Sequence, residues 1–464
     1  MRRLAAIALL AAGCASIRPH VDQSIGTAPA PATPWVTPAN VVATPAPQPV
    51  PALPANVTPG GPLSLPQVID IALANNPETR AAWLRARVAE AEVGSSQAAY
   101  LPEIDGAVTA SRSTGANGDA RTAITPSLAL SYLLFDFGGR ASVVEQARQS
   151  LIAADFEHNQ IIQDVVLQAE QAYYDYLDAK ALLEAQDATL KERDAALEAT
   201  NARHNAGIAT IADVLQARTA RAQAQLTRDT IAGNLRTVEG QLATVMGLPA
   251  TMQFDFGTLP LDIPARSVAD QVDALIARAV TQRPELAAAR ADAARLAARI
   301  TEVRSAFRPS VGVTSSVGRT IAIGGGSNSA TPYSIGATLR VPLFTGGRNV
   351  YDVRAAQLEA ELARENIRSV EQRVNLQVWT SYFALQTAEQ RLVSVRELLR
   401  SAQQSVDVAA GRYRSGVGTI LDLLTAEAAL ESARAEEVQA RTDWFLAIAQ
   451  LAHDTGSLGP QQGQ

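Results

Sequence analysis

"RYRSGVGTILDLLTA" at Arg412–Ala426 and "RHNAGIATIADVLQA" at Arg203–Ala217 carry Arg, Gly, Thr, Asp, Leu and Ala at one spacing, 209 positions apart. Read alone, Gly416-Val417-Gly418 invites comparison with a phosphate-cradling loop. No lysine follows those glycines, no strand pattern precedes them, and an acid already occupies the helix start where a phosphate would sit. Capping rules supply a different reading. Arg203 and Arg412 fall in the last turn of a helix, where cations favour the carbonyl end of the dipole. Gly207 and Gly416 supply the left-handed residue that ends it. Thr210 and Thr419 then cap a second helix, and Asp213 and Asp422, three residues on, complete a capping box. Each stretch is therefore the turn of a helical hairpin, and the chain makes it twice.

The duplication extends outward from the turns. "NNPETRAAWLRARVAEAEVGSSQAAYLPEI" (75–104) matches "QRPELAAARADAARLAARITEVRSAFRPSV" (282–311), with Pro77 against Pro284 and Pro102 against Pro309. Gly138-Gly139-Arg140 matches Gly346-Gly347-Arg348, and "AYYDYLDA" (172–179) echoes "SYFALQTA" (381–388). A period of about 208 is far longer than a solenoid repeat and marks a duplicated domain. The division expected is a first repeat at 63–248, a linker at 249–268, a second repeat at 269–455 and a short tail at 456–464.

Each copy has the same order of patterns. A helix is expected from about 64 to 98, capped by Ser64 and ended before Tyr100-Leu101-Pro102. Hairpins follow at about 102–137 and 309–344, with Gly-, Asn- and Ser-rich tips at 113–121 and 323–332. In the first, Ile124, Pro126, Leu128, Leu130, Tyr132 and Leu134 alternate with small or polar residues; in the second, Ile335, Ala337, Leu339, Val341 and Leu343 do so. Arg340 falls on the opposite, small-residue face, where it points into a barrel or sits at a rim. Proline-free helices are expected at about 139–205 and 347–414, each a rod of roughly 100 Å at 1.5 Å per residue. Val370, Val374, Val378, Tyr382, Leu385, Leu392, Val395 and Leu399 draw an apolar seam along the second. Two further helices, about 210–245 and 419–452, return from the turns. Four strands per chain cannot close a barrel alone, so edge strands need pairing between copies, two, three or four of which would supply 8, 12 or 16 strands. The alternative is a pair of soluble hairpins packed on helices.

Composition narrows the function. Of 464 residues, 47% are hydrophobic but only 5% aromatic, which favours Ala-rich helix over large aromatic cores. A net charge of −6, with basic residues scattered along helical stretches, argues against a nucleic-acid partner. "MRRLAAIALLAAGCAS" reads as a secretory signal (1–13) ahead of Cys14, the only cysteine, so no disulfide forms within the chain. "AAGC" resembles a lipobox, which would make Cys14 a lipidation site at the head of a Pro/Ala-rich tether over 14–62. No uninterrupted apolar stretch after the tether is long enough for a spanning helix. Enzyme chemistry finds no support: His20, His158, His204 and His453 are far apart in sequence and read as solvated, and no metal, cofactor or nucleophile motif is present. Trp83, Trp379, Trp444, Tyr173, Tyr174, Tyr176 and Tyr382 lie at helical spacings and read as packing residues.

The duplicated helix, hairpin, Gly-Gly-Arg, long helix and Arg-x-x-x-Gly-x-x-Thr-x-x-Asp-x-Leu turn resembles the TolC-type outer membrane factors, the outer membrane efflux protein family, over about residues 63–453. The lipobox and tether resemble its lipoprotein branch. The resemblance implies a mainly α fold with a small β part: a homotrimer whose 12-stranded β-barrel continues into a long α-helical barrel. It implies a Gram-negative outer-membrane location with a large periplasmic part, a lipid anchor, and no cofactor. It further implies a passive exit duct serving a periplasmic adaptor (membrane fusion) protein and an inner-membrane pump of the resistance-nodulation-division type. A type I protein secretion channel and a non-conducting periplasmic coiled-coil scaffold are the alternatives. By the same resemblance Gly207, Ile208, Gly416 and Val417 are adaptor-contacting tips, Asp422 and Asp213 ring a periplasmic aperture, and Tyr413 is a gate partner. Two positions depart from the family pattern: Thr425 stands where a second acid is usual, and Gly418 where a basic residue is usual. Drugs, metal ions and a polypeptide all remain open as cargo.

Overall fold

The computed structural model describes residues 62–114, 120–252, 254–260, 271–323 and 331–458. The leader, Cys14 and the tether to residue 61, the tips of both β-hairpins, residue 253, residues 261–270 around the end of the inter-repeat linker and residues 459–464 lie outside the described residues. The elements run α1 (Leu65–Asn75), α2 (Pro77–Gln97), β1 (Glu103–Thr114), β2 (Ala120–Phe135), α3 (Gly139–Asn205) and α4 (Ile211–Val245). The same order returns as α5 (Val272–Gln282), α6 (Pro284–Ser305), β3 (Ser310–Gly318), β4 (Ile321–Ile323), β5 (Tyr333–Arg340), α7 (Arg348–Arg414) and α8 (Ile420–Asp454). The long helices α3 and α7 are 67 residues each, and the returning helices α4 and α8 are 35 each. The fold is mainly α with a small sheet.

Four local expectations are corrected. The first helix is two helices, because Pro77 has no N–H to donate and forces Asn76 out of the helical region, to φ −64 and ψ 126. Asn76 then caps α2 by accepting the Glu78 N–H at 2.8 Å. Secondly, the second repeat uses two strands, β3 and β4, where one was expected, both paired with β2. Their break lies against Pro126, which offers the ladder no donor; Arg319 N–H bonds the Pro126 carbonyl at 3.0 Å instead. Thirdly, β5 ends at Arg340, so Val341 and Leu343 lie beyond the ladder. Fourthly, the glycine signatures align at 209 rather than 208, since Phe137-Gly138 is the structural mate of Gly346-Gly347, all four left-handed. Phe137 is the one non-glycine there; its ring packs edge-on against Phe135 and under the Arg308 guanidinium.

The strands form one antiparallel sheet in the order β1-β2-β3-β5 with β4 also on β2. Register places Ile104, Leu130, Ser315 and Ile335 in one cross-strand row, with Leu128, Val317 and Tyr333 in the next on the same face. The opposite face carries Asp105, Ala129, Ser316 and Ser334, then Glu103, Ser131, Thr314 and Gly336. One face is thus largely apolar and one small or polar, and Ile104, Val108, Leu128, Ile335 and Leu339 are all exposed. Arg340 stands beside Ser310, on the polar face. Among the described residues the two outer strands, β1 and β5, each have one unpaired edge.

Each repeat buries its own core at the middle of its long helix. Val68, Ile71 and Ala72 of α1 pack with Val165, Ala169, Tyr173 and Leu242. Leu275 and Ala279 of α5 pack with Val370, Val374, Val378 and Leu385 of the expected seam. Lys180 donates to the carbonyls of Phe256 and Gly257 and so ties the chain leaving the first repeat to α3. Of the aromatics, Trp444, Tyr173 and Tyr176 are buried, whereas Trp83 and Trp379 are 47% and 49% exposed. Trp83 lies under Arg87 and Trp379 against Phe383, each one turn along its own helix, and both rings stay about half-exposed.

Both repeats end on the same glycine. Gly247 and Gly456 are left-handed, at φ 70 and 73, and a Cβ there would meet Asn75 O at 2.6 Å or Gln282 C at 3.0 Å. The neighbouring side chain differs. Asn76 Nδ2 donates to Val245 O at 3.3 Å, while its counterpart Arg283 reaches His453 O at 3.2 Å and also pairs with Glu285, Asp454 and Gln377. His453 is correspondingly not solvated: its side chain is 13% exposed and meets Asp164 at 2.8 Å and Asp454 at 3.1 Å. Burial opposes its charge, but those two hydrogen bonds outweigh burial and hold its pKa up at about 9.

Candidate functional site

The helical turns are built by short-range hydrogen bonds. Gly207 and Gly416 have φ 76 and 79. Their N–H groups donate to His204 O and Tyr413 O, and those of Ile208 and Val417 donate to Arg203 O and Arg412 O at 3.0 Å, which satisfies the final carbonyls of α3 and α7. Thr210 and Thr419 cap α4 and α8. Asp213 N–H donates to Thr210 Oγ1, and Thr210 N–H to Asp213 Oδ2 at 2.8 Å; the second turn repeats the exchange at 3.1 Å each way. The Thr419 amide, and then its hydroxyl, hold the Asp422 carboxyl below the usual carboxylate range, with Arg412 adding to the effect.

The two turns are joined, and the joint is asymmetric. Tyr413 is buried at 6% exposure with Ile420, Leu423 and Leu424, and its Oη meets Thr200 Oγ1 at 3.1 Å. Arg203 lies over the Tyr413 ring, 4.6 Å from its centroid, and donates to the Tyr413 carbonyl at 2.6 Å. Arg203 is therefore more than a helix-end cation: it reaches from the first repeat into the second. Arg412, its counterpart, lines an open groove with Ser405, Val408, Asp422 and Thr425. Gly418 has a packing reason to lack a side chain, since a Cβ would lie 3.0 Å from Arg412 Cβ. Ile208 and Val417, at the apices, are 65% and 70% exposed.

Above the tips a series of polar contacts joins α3 of the first repeat to α8 of the second. Arg193, from α3, donates to Glu427 Oε2 at 2.6 Å and to Leu424 O, with both charged side chains buried. Burial pushes the Glu427 carboxyl up, and Arg193 opposes that shift. Arg434 forms a two-pronged pair with Glu192 at 2.8 and 3.0 Å. Thr442 donates to Asp178 at 3.0 Å, and His453 meets Asp164. Asp164, Asp178 and Glu192 recur every 14 residues on α3, which returns them to one helix face. That spacing has no meaning in the sequence alone, because the partners that give it one lie more than 200 residues away.

Among the described residues no cluster of three His, Cys, Asp or Glu side chains could hold a metal ion, and no helix is long and apolar enough to cross a membrane. The profile of the outer membrane efflux protein family matches residues 68–248 and 275–457. Protein CyaE of Bordetella pertussis is 28% identical over 387 residues, 81% of this chain and 80% of that protein. The outer membrane efflux protein BepC of Brucella suis is 24% identical over 393 residues, 84% of each. The open-state crystal structure of the Neisseria gonorrhoeae MtrE outer membrane channel has the same fold, with TM-score 0.76, 23% identity and coverage of 86% of this chain and 91% of that one.

Proposed function

Because the chain belongs to the outer membrane efflux protein family, we propose that it is the outer-membrane exit duct of a tripartite efflux pump, a passive channel that carries small molecules out of the cell. The observation that supports this best is the sheet. It has one apolar face, one small or polar face and an unpaired edge at each side, on a chain whose helices bury their own cores elsewhere. Such a sheet is unsatisfied alone and closes when copies add edge to edge, apolar side to lipid and polar side to water. With β3 and β4 serving as one bent strand, three copies supply a 12-stranded barrel.

In this reading the first 13 residues are a leader, Cys14 carries an acyl anchor, the tether runs to residue 62, and the helices stand in the periplasm of a Gram-negative cell. The tips face the cell interior. Exposed Ile208 and Val417, set out by Gly207 and Gly416, meet a periplasmic adaptor, behind which an inner-membrane pump of the resistance-nodulation-division type supplies the energy. Asp422 and Asp213 put acid around the aperture, where a ring of carboxylates favours cations. Tyr413 is a positioning residue: held by Thr200 and Arg203, it fixes the second turn on the first and so sets where Asp422 stands. The pump selects the cargo.

Membrane fractionation with gel mobility before and after heating tests this. The chain should sediment with the outer membrane and run as a multi-chain species until heated. A water-soluble monomer once the acyl group is removed would overturn the reading.

A further inference from the structure

Pro126 separates β3 from β4 without shifting them. Ser127 pairs with Gly318 and Ile124 with Ile321, so the register runs unbroken through the gap and sets Arg319 opposite Pro126, to whose carbonyl its N–H donates at 3.0 Å. Thr125 and Thr320, the next residues along, bring their hydroxyls to 3.5 Å on the polar face. Alternation then puts the Arg319 side chain on the other face, the apolar one. It interrupts that face, with Leu128 and Val317 on its helical side and Ile124 and Ile321 beyond it. Among the described residues its guanidinium has no hydrogen bond or ion pair, and the residue is exposed. Arg112 stands on the same face two rows farther out, across from Thr122, and is likewise exposed and unpaired.

Beside Arg319 the apolar face is hollowed into an open groove of about 460 Å³. Gly106 leaves the space, Val108, Pro126, Leu128 and Val317 wall it, and Arg319 and Thr331 stand at its outer end. A Cβ on Gly106 would only touch Leu128 Cδ2, at 3.6 Å, so packing within the chain does not demand the glycine. The volume suits one small amphiphile. Its height on the sheet follows from the strand rise. Pro126 is eight residues from Leu134, where β2 nears the helical body. Along tilted strands that is about 20 Å, close to the outer edge of an apolar band about 25 Å tall. Tyr333, which pairs with Val317 and is exposed on the same face, has the ring with a polar tip that belongs at such an edge.

Resting on the barrel of the duct described above, we propose that this groove holds a phosphate-bearing acylated glycolipid of the outer leaflet, one acyl chain lying over Gly106 and a phosphate paired with Arg319. A cation on the lipid side of a barrel is costly unless it reaches water or an anion, and a long arginine near the band's edge extends outward to find one. Lipid phosphates supply that anion at the level of the guanidinium, and two oxygens of one phosphate match its fork. Arg112, farther out, meets the more distal part of the same headgroup. The rival occupant, the acyl group on Cys14, enters from the wrong side: its tether joins the chain at α1, on the helical body, whereas the groove opens in the half of the sheet remote from the helices. Every lining residue comes from one chain, so each copy in a barrel carries its own site.

Native mass spectrometry of the full-length protein in detergent tests this, with bisphosphorylated lipid A, its dephosphorylated form and phosphatidylglycerol offered at equal concentration. The parent should retain bisphosphorylated lipid A at least fivefold more than either of the others. Arg319→Gln should bring that preference to within twofold of none, and Arg112→Gln should weaken it less. Gly106→Leu, which fills the groove, should lower retention of both forms of lipid A at least fivefold. Arg340→Gln, which removes a cation from the opposite face, should change nothing beyond twofold. Equal preference in the parent and in Arg319→Gln would overturn the site. So would phosphatidylglycerol held as well as lipid A, which would assign the groove to any phospholipid, or lipid A retention that rises in Cys14→Ala, which would assign it to the chain's own acyl group. Any of these in a protein that still forms the heat-sensitive multi-chain species leaves the duct reading intact; failure of that species to form overturns both.

Discussion

The two repeats share their backbone but not their side-chain chemistry. Turn glycines, threonine caps and capping-box aspartates are the same in both, and so are the glycines that close each repeat against its short helix. The differences fall where the repeats meet. The junction beside Gly247 is held by the neutral Asn76, whereas the one beside Gly456 is held by Arg283 amid Glu285, Asp454, His453 and Asp164. At the tips, His204 bonds within its own turn, to Ala209 O at 2.9 Å, while its mate Tyr413 is held by the other repeat. Duplication therefore supplied the frame twice, and substitution then placed on it the contacts that join the two copies.

That contrast can be broken experimentally, most severely at Arg193. Arg193→Met leaves Glu427 buried without its partner and should cost about 3–5 kcal/mol in urea unfolding of the solubilised protein, whereas changing Glu427→Leu in addition should recover much of the loss. Arg218→Met, at the exposed position on α4 that corresponds to Glu427 on α8, should change stability by no more than ~0.5 kcal/mol. Next come the closing glycines. An alanine at any left-handed glycine costs about 1–2 kcal/mol from the backbone alone. Gly247→Ala should exceed that and exceed Gly456→Ala, because its Cβ runs into the Asn75 carbonyl; Gly207→Ala, with nothing near its Cβ, should stay within it. Melting temperatures of the three variants check the order.

A smaller effect separates the junctions by pH. His453 has a folded pKa of about 9 against an ordinary value of 6.5. Its contribution, on the order of 1–3 kcal/mol, is complete below about pH 6.5 and is lost as pH rises through about 9. Hydrogen exchange, corrected for its intrinsic pH dependence, should show α5 and the end of α8 loosening between pH 7 and 10 while α1 and the end of α4 do not. Equal loosening at both junctions would contradict the assignment. Glu170, on α3, has its pKa pushed up from 4.5 to about 7 by burial, so the stability it costs builds between those two pH values and is complete above the second. Glu170→Gln should therefore raise the melting temperature by a few degrees at pH 8, by less at pH 5, and leave it nearly unchanged at about pH 4.

Much of this frame is legible in the sequence because it rests on local rules. Glycine, threonine and aspartate at fixed spacing determine a helical turn without help from the rest of the chain, and alternation in Ile124–Leu134 determines a strand. Failures occur where one residue's backbone chemistry interrupts a pattern, as at Pro77 and opposite Pro126. They also occur where a neighbour far along the chain decides the environment. His453 reads as solvated until Asp164, 289 positions away, is placed against it. Trp83 and Trp379 read as packing because helical spacing reports a shared face and says nothing of what covers it. At the tips, the caps of Asp213 and Asp422 are readable, whereas the reach of Arg203 into the second turn depends on how two hairpins lie together.

An exit duct of this kind passes current through an aperture ringed by the tip carboxylates. Single-channel recording of the full-length protein in planar lipid bilayers tests it most directly, with Asp422→Ala alongside and Asp213→Ala as the weaker comparison. The parent should give small cation-selective steps, and Asp422→Ala a larger conductance with weaker block by divalent cations. A parent protein that inserts as a multi-chain species yet passes no current, or an Asp422→Ala variant whose conductance and block are unchanged, would contradict it.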